Sequence, residues 1–267
     1  MFGWWRRRRA APSIPEPLWR QALAAYPFLA ARPHDERERL RALAAQFLQA
    51  KEFHGAQGLA ITDELALAVA AQAVLPVLHL GLRWYDDFVG IVVHPDQVVA
   101  RRTAQDDAGV VHEWEEVLAG EAMERGPVML SWRDVQDAGA SAEQGYNVVV
   151  HEFIHKIDMR DGEPDGCPPL PAGRRREWQD VLGAAYQRFR EQVVIAERFA
   201  GEPTWLDPYG AENPGEFFAV AGEAYFVNRA RFAQEFPALL ALFDAFFLAP
   251  GHSRAGGNPE RPPSRPA

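Results

Sequence analysis

The chain has 267 residues, of which 28 are Lys or Arg and 37 are Asp or Glu, so its formal net charge is −9 with neutral histidines. This acidic balance argues against direct binding of nucleic acid, which relies on basic side chains to neutralise phosphates. Hydrophobic residues make up 48% and charged residues 24%, which argues against intrinsic disorder and predicts a packed core.

Residues 1–15 contain three aromatic residues near their start, Phe2, Trp4 and Trp5, and Arg6–Arg9 follow them. No apolar stretch of the length that a signal peptide needs comes next, so no export signal is predicted. We interpret residues 1–15 as a flexible basic arm. The alternative is a weak anchor to a membrane surface or a partner through Trp4 and Trp5.

Residues 16–75 are expected to be helical. Apolar residues recur there at spacings of three to five, with charged residues between them. The residues that carry this spacing are Leu18, Leu23, Phe28, Leu40, Leu43, Phe47 and Leu48.

The longest apolar stretch, Leu65–Leu82, raises the question of a membrane span. It contains the polar Gln72 and the helix-breaking Pro76 near its middle, which argues against a lipid-spanning helix. The pattern instead predicts a buried helix, capped by Thr62 or Asp63 and ending before Pro76.

Residues 76–135 are predicted to form a small mixed or antiparallel sheet. β-Branched and aromatic residues are frequent there, with Gly, Pro and Asp between the clusters. The candidate strands are Phe88–Val93, Gln97–Arg101, Val110–Trp114 and Val128–Trp132.

Helical spacing returns in residues 146–249, with predicted helices near 146–159, 174–198, 214–227 and 233–248. A loop rich in Pro and Gly, residues 161–173, contains the only cysteine, Cys167. We expect this thiol to be an exposed or half-buried spectator, and a lone cysteine fits a reducing cytoplasm. Residues 250–267 are expected to be a disordered tail. The predicted fold class is α+β, with one domain over residues 16–249 and a helical N-terminal extension.

The predicted helix at 146–159 contains the segment His151-Glu152-Phe153-Ile154-His155. Histidines at i and i+4 project from one face of a helix, so both imidazoles can bind one zinc ion. Glu152 can act on a water at the metal as general base without binding the ion. The alternative is an exposed helix with two unrelated histidines, but the apolar residues 148–150 place the segment in the core, where a histidine pair needs partners.

A catalytic zinc site needs a third protein ligand. The predicted helix at 214–227 offers two glutamates, Glu216 and Glu223, seven residues apart and therefore on one face. Spacing alone leaves open which of them binds the metal and which orients a histidine.

Three segments together resemble the Mlc titration factor A (MtfA) family of bacterial zinc peptidases, and the likeness extends from about Trp19 to Phe247. These segments are residues 151–160, 209–220 and 75–84. In that family the third zinc ligand is the glutamate of a Pro-x-Glu-x-Phe-Ala segment, which corresponds to Glu216. The family is also similar to the catalytic domain of anthrax lethal factor, where a tyrosine seven residues before the ligand glutamate faces the metal. Tyr209 holds that position here.

The resemblance implies a zincin-like metallopeptidase with one Zn²⁺ held by His151, His155 and Glu216. Glu152 would take the proton of the attacking water, and Tyr209 would donate a hydrogen bond to the oxyanion. The alternative for Tyr209 is an aromatic residue that only packs on the core.

Two further carboxylates are candidates for orienting a ligand histidine. They are Glu223 and Asp158, and helix capping or salt-bridge duty is the alternative for Glu223. For the peptide substrate, pairing with an exposed strand edge is expected, and residues 126–132 are the candidate strand because they shortly precede the motif helix.

The family likeness also implies a regulatory role. Its name derives from binding of the glucose-responsive repressor Mlc, which acts on the sugar phosphotransferase system, and aminopeptidase-type cleavage is associated with the family. A protein that only sequesters a repressor and carries a structural or vestigial zinc is the alternative function. Substitution of Glu152 by Gln distinguishes the two, since it should abolish turnover and keep the zinc.

Overall fold

The computed structural model describes residues 13–105 and 111–248, so most of the predicted basic arm and the whole predicted tail lie outside it. The fold is α+β, as predicted. The α-helices are α1 (Glu16–Ala25), α2 (Pro27–Ala30), α3 (His34–Ala50), α4 (Asp63–Ala73), α5 (Trp132–Ser141), α6 (Val148–Asp158), α7 (Ala172–Phe199), α8 (Pro214–Val227), α9 (Arg229–Glu235) and α10 (Pro237–Phe247). The strands are β1 (Glu52–Gly55), β2 (Gly90–His94), β3 (Val98–Gln105), β4 (Val111–Leu118), β5 (Gly120–Ala122) and β6 (Val128–Ser131).

The main sheet is mixed and has the strand order β1-β2-β6-β5. The first three of these strands are parallel, and β5 runs antiparallel to β6 with Gly120 opposite Leu130. The other two strands, β3 and β4, pair with each other as a separate antiparallel ribbon. Because β6 lies between β2 and β5, the strand predicted to bind substrate is interior and has no free edge. That prediction is wrong, because the edge strands of this sheet are β1 and β5.

Four elements differ from the sequence-based expectation. The short strand β1 interrupts the predicted helical part, and β5 was not predicted, because three or four residues carry too little alternation to detect. Helix α5 begins at Trp132, where Ser131 accepts a hydrogen bond from the Asp134 amide and caps it. The helix predicted near 233–248 is divided into α9 and α10, because Pro237 has no N–H to continue the first helix.

Helix α4 matches its prediction closely. The Thr62 hydroxyl accepts a hydrogen bond from the Leu65 amide at 3.1 Å, and the helix ends at Ala73, before Pro76. Every residue from Leu65 to Ala73 is buried, which explains the unbroken apolar sequence. Within residues 13–105 and 111–248, no helix combines the length and apolar character needed to cross a membrane.

One contiguous hydrophobic core joins the helical N-terminal part to the C-terminal helices, from Ile14 to Phe247. In its C-terminal half, Trp178 of α7 packs against Phe218 of α8 and Phe243 of α10, with ring centroids 5.4 and 5.7 Å apart. Cys167 is 2% exposed, and burial raises the pKa of its thiol to about 11. The expectation of an exposed or half-buried thiol is therefore wrong, because its loop folds inward against α7.

Candidate metal centre

Helix α6 begins in the core and carries both histidines. The side chain of Asn147 accepts a hydrogen bond from the Val150 amide at 2.8 Å and so fixes the first turn. His151 and His155 then project from one face with ring centroids 4.8 Å apart. Phe153 and Ile154 point the other way and are fully buried. The spacing of the motif thus produces the face that the sequence predicted.

Helix α8 brings Glu216 to this face. The side chain of Asn213 accepts a hydrogen bond from the Glu216 amide at 3.0 Å, and Pro214 occupies the first helical turn. Gly215 lies directly against the loop before α7, since a Cβ there would come 2.4 Å from the Pro164 carbonyl oxygen. This close backbone approach requires glycine. It fixes the position of the first turn of α8, which carries Glu216.

Three ligand atoms form a nearly equilateral triangle. The distances are 3.1 Å from His151 Nε2 to Glu216 Oε2, 3.2 Å from His155 Nε2 to the same oxygen, and 3.1 Å between the two Nε2 atoms. Among the residues that the structure describes, these three form the only group of this kind that can hold a metal ion. Tetrahedral zinc with bonds of about 2.05 Å separates its ligand atoms by about 3.3 Å. The triangle therefore fits three corners of a zinc tetrahedron.

The fit is chemical as well as geometric. Both Nε2 atoms face each other and one carboxylate oxygen, and neutral imidazoles with their protons on Nδ1 would present only lone pairs there. A cation at the centre would turn this repulsion into coordination. Burial alone would raise the pKa of Glu216, but hydrogen bonds from the two histidines, when these carry a proton on Nε2, outweigh burial and hold that pKa well below its usual range.

Glu223 and Glu216 contact opposite nitrogens of the same ring. The Oε1 of Glu223 lies 2.7 Å from His151 Nδ1, and its Oε2 accepts the Asn147 amide at 2.5 Å. A proton on Nδ1 leaves Nε2 free to bind metal. Glu223 is 1% exposed, so this contact is shielded from water. Glu223 is therefore placed to orient the His151 ring.

Sequence reasoning missed the residues behind Glu223. The side-chain amide of Asn147 donates to Gln72 Oε1 at 2.7 Å, and Gln72 in turn donates to the Ala68 carbonyl at 3.0 Å. Both side chains are fully buried. The signal was available, because a glutamine within the wholly apolar α4 must find a polar partner.

Glu152 stands beside the triangle and is not part of it. It is 5% exposed and lines the cleft in front of the histidines. Burial, with a smaller contribution from the carboxylates of Glu216 and Glu223, raises the pKa of Glu152 to about 8, although His151 opposes the shift. A cation held by the three ligands would lower that pKa, because an opposite charge stabilises the carboxylate.

The cleft has a volume of about 430 Å³. Tyr209, on a short 3₁₀ helix before α8, lines it with its ring centroid 6.2 Å from that of His151. The edge strand β5 forms another wall, through Gly120, Glu121 and Ala122. Tyr209 thus lies in the cleft beside His151, and its hydrogen bond to the oxyanion stays a prediction.

Asp158 does not reach either histidine. Its Oδ2 accepts the Gly166 amide at 2.8 Å, which ties the end of α6 to the loop before α7, while its Oδ1 and the Nδ1 of His155 lack hydrogen-bond partners among the described residues. Burial raises the pKa of Asp158 to about 8. The carboxylate of Asp158 therefore contacts the loop before α7 and neither of the two histidines.

The profile of a family described as glucose-regulated metallo-peptidase M90 matches residues 2–248. The chain belongs to this M90 family. Proteins named Mlc titration factor A are similar over most of its length. That of Edwardsiella ictaluri is 37% identical and that of Klebsiella pneumoniae strain 342 is 36% identical, each over 92% of this chain and over 93% and 91% of the relative. The resemblance found in the sequence is confirmed, and membership of a metallopeptidase family implies a metal ion, for which the His, His and Glu triangle is the candidate site.

Proposed function

We propose that the protein is a zinc-dependent peptidase of the aminopeptidase type, with zinc held by His151, His155 and Glu216. The triangle of ligand atoms carries this proposal, because it leaves one tetrahedral position for water or substrate. A structural zinc site is usually closed by four Cys or His ligands. Membership of the M90 family supports peptidase chemistry over other metal-dependent hydrolysis.

A zinc ion at this centre supplies a Lewis acid that polarises the scissile carbonyl and acidifies water. Glu152 accepts the proton of the attacking water and passes it to the leaving amine. Tyr209 donates a hydrogen bond to the oxygen that gains negative charge. Glu223 keeps the proton of His151 on Nδ1, so that Nε2 stays a ligand.

The outer edge of β5 is the proposed binding site for the peptide backbone. Among the described strands, β5 pairs only with β6, and its residues line the cleft. An extended peptide can add to such an edge through main-chain hydrogen bonds. Proline at Ala122 should then impair peptide cleavage and leave zinc bound, whereas the interior strand β6 would respond to proline by losing stability.

The deciding experiment replaces Glu152 by Gln. We expect turnover of alanine 4-nitroanilide and of peptides to fall by about 100-fold or more, while one zinc per chain is retained, because the side chain acts on water and not on the metal. Glu202→Gln, at an exposed position, is the matched control. Unchanged cleavage by Glu152→Gln would refute the role of Glu152 as general base, and no cleavage by the zinc-bound wild type would refute the peptidase assignment.

A second function is suggested by the relatives named Mlc titration factor A, which are 34–37% identical to this chain. We propose binding of a repressor of the Mlc type in the cytoplasm, with an effect on the sugar phosphotransferase system. The net charge of −9 complements a basic DNA-binding protein. Repressor binding that persists in Glu152→Gln would separate this function from catalysis. Loss of repressor binding without loss of turnover, in surface variants, would show that the two use different surfaces.

A further inference from the structure

The edge strand β5 touches the motif helix α6 at Gly120. A Cβ atom at this position would lie 2.5 Å from Glu152 Oε1, 2.7 Å from its Cγ and 2.9 Å from its Cδ. Non-bonded heavy atoms essentially never approach a Cβ to within 3.0 Å, so any other residue here would displace Glu152. The glutamate side chain therefore lies flat on the backbone of the strand, in the space that glycine leaves.

A displaced Glu152 would have to turn toward the cleft. The side chain is 5% exposed, and the core residues Phe153 and Ile154 follow it on the helix. Because a glutamate can rotate about its side-chain bonds, the fold would survive an added methyl group at residue 120. The orientation of the carboxylate would change while the fold would not.

One helical turn after Glu152, Lys156 fixes the other end of β5. Its ammonium donates to the carbonyls of Met123 at 2.8 Å and Gly126 at 3.4 Å, in the turn that joins β5 to β6. Lys156 is fully buried, with Asp87 at 3.9 Å and the ring of Phe88 at 4.5 Å from its nitrogen. A buried ammonium needs such partners, so this contact is specific and not incidental.

We propose that Gly120 is a positioning residue for Glu152, and that Lys156 holds β5 at the distance that makes this contact. The proposal rests on the function assigned above to Glu152. The same strand then serves two purposes, because its outer edge is the proposed peptide-binding site and its backbone supports the base. The carboxylate is held beside the position where the scissile bond would lie.

The first test is Gly120→Ala, with Gly183→Ala as the control, since a Cβ at Gly183 meets no atom within 4 Å. We expect the kcat of Gly120→Ala for alanine 4-nitroanilide to fall by about tenfold or more, with KM, zinc content and Tm close to those of the wild type. A raised KM with unchanged kcat would overturn the proposal, because it would place the effect on substrate binding. Absence of turnover in the zinc-bound wild type would instead refute the proposed function, and turnover that survives Glu152→Gln would refute the role of Glu152 on which this proposal rests.

A mutant cycle separates positioning from a general structural effect. In a Glu152→Ala background the colliding atoms are gone, so Gly120→Ala should cause no further loss of the residual turnover. An equal fold-loss in both backgrounds would overturn the proposal. This comparison asks whether the methyl group acts through Glu152 and through nothing else.

The role of Lys156 is tested without catalysis. Lys156→Met keeps the apolar stem and removes the ammonium, so the amides of Met123 and Gly126 should exchange hydrogen at least about tenfold faster. Lys51→Met is the matched control. This second buried lysine lies 3.8 Å from the same Phe88 ring but donates to the carbonyls of Tyr85 and Phe88 instead. Equal exchange at the β5–β6 turn in both variants would overturn the role of Lys156, and the Gly120 tests stand if Lys156→Met does not fold.

Discussion

The two sides of the cleft are built differently. On the metal side, Glu223, Asn147 and Gln72 form a chain of hydrogen bonds that runs from His151 into the core, and all three are buried. On the side proposed for the substrate, the three-residue strand β5 and a short 3₁₀ helix carry Gly120 and Tyr209. The proposed metal ligands are thus preorganised by the core, whereas the proposed substrate groups depend on local contacts. Changes on the first side should therefore alter metal affinity, and changes on the second should alter turnover with the metal in place.

The largest effect is expected at Glu216, whose carboxylate contacts both histidines. Glu216→Ala should weaken zinc binding by more than about 100-fold, because even residues that only orient a ligand cost about 10–100-fold when removed. Competition with a chelator measures the affinity, and elemental analysis gives zinc per chain. Wild-type zinc content and affinity in Glu216→Ala would mean that the metal binds elsewhere. Exposed Glu202→Ala is the control.

On the substrate side, Tyr209→Phe should show the opposite pattern. If the hydroxyl stabilises the oxyanion, kcat should fall by about 100-fold, the cost typical of one lost oxyanion donor. Zinc affinity should stay at the wild-type value, because the ring and its packing beside His151 remain. Steady-state kinetics and chelator competition on the same preparation give both numbers. A loss of zinc without a loss of kcat would contradict the division between the two sides.

Glu223→Gln compares a residue that orients a metal ligand with Glu216, the proposed ligand itself. The amide keeps one acceptor but presents its NH₂ group either to the Nδ1 proton of His151 or to the Asn147 amide, so one of the two hydrogen bonds is lost. We expect zinc affinity to fall by about 10–100-fold, with a kcat at saturating zinc closer to that of the wild type. Unchanged affinity would remove the orienting role of Glu223 and leave it a buried helix contact.

A smaller effect is expected one step further into the core. Gln72→Leu leaves the side-chain amide of Asn147 without its acceptor, which should lower the free energy of unfolding by about 1–3 kcal/mol. Zinc affinity should fall by less than it does in Glu223→Gln, because Asn147 keeps its backbone bond to Glu223. Urea unfolding and chelator competition measure the two effects. Gln49→Leu, on the exposed face of α3, controls for the added apolar surface.

The sequence predicted the metal side better than the substrate side. Helical periodicity gave α4 and α8 with close boundaries, and the spacing of His151 and His155 placed both rings on one face. It could not choose between Glu216 and Glu223, because a separation of seven residues puts both on one face. The crossing of α6 and α8 decides their positions, since Glu216 meets Nε2 of His151 and Glu223 meets Nδ1.

The substrate side escaped prediction because its elements are short and its contacts are distant in sequence. Strand β5 has three residues, too few for an alternation pattern, and the long ribbon of β3 and β4 precedes it. Its place at the sheet edge depends on which strand β6 pairs with, which local sequence does not encode. In the sequence, Gly120 looks like an ordinary turn residue. Its role depends on the packing of the helix that carries Glu152, which the sequence does not show.

Asp158 provides the last test, and the smallest expected effect on the site. Burial raises its pKa to about 8, so in the folded chain the carboxyl keeps its proton at neutral pH, whereas the unfolded chain loses it near pH 4. The folded state therefore binds more protons between these values, and the stability that Asp158 contributes is present below about pH 4 and is lost as the pH rises toward about 8. Asparagine resembles the protonated carboxyl and does not titrate.

We expect the free energy of unfolding of the wild type to fall relative to that of Asp158→Asn, by roughly 1 kcal/mol per pH unit between about pH 5 and pH 7. Urea unfolding at both pH values measures the difference, and the exposed Asp137→Asn is the control. Zinc affinity should stay within about twofold of the wild type, because Asp158 contacts the loop at Gly166 and neither histidine. If the difference in the free energy of unfolding between the two proteins stayed constant from about pH 5 to pH 7, Asp158 would be ionised in the folded chain. A large loss of zinc affinity in Asp158→Asn would mean that the loop before α7 also supports the metal ligands.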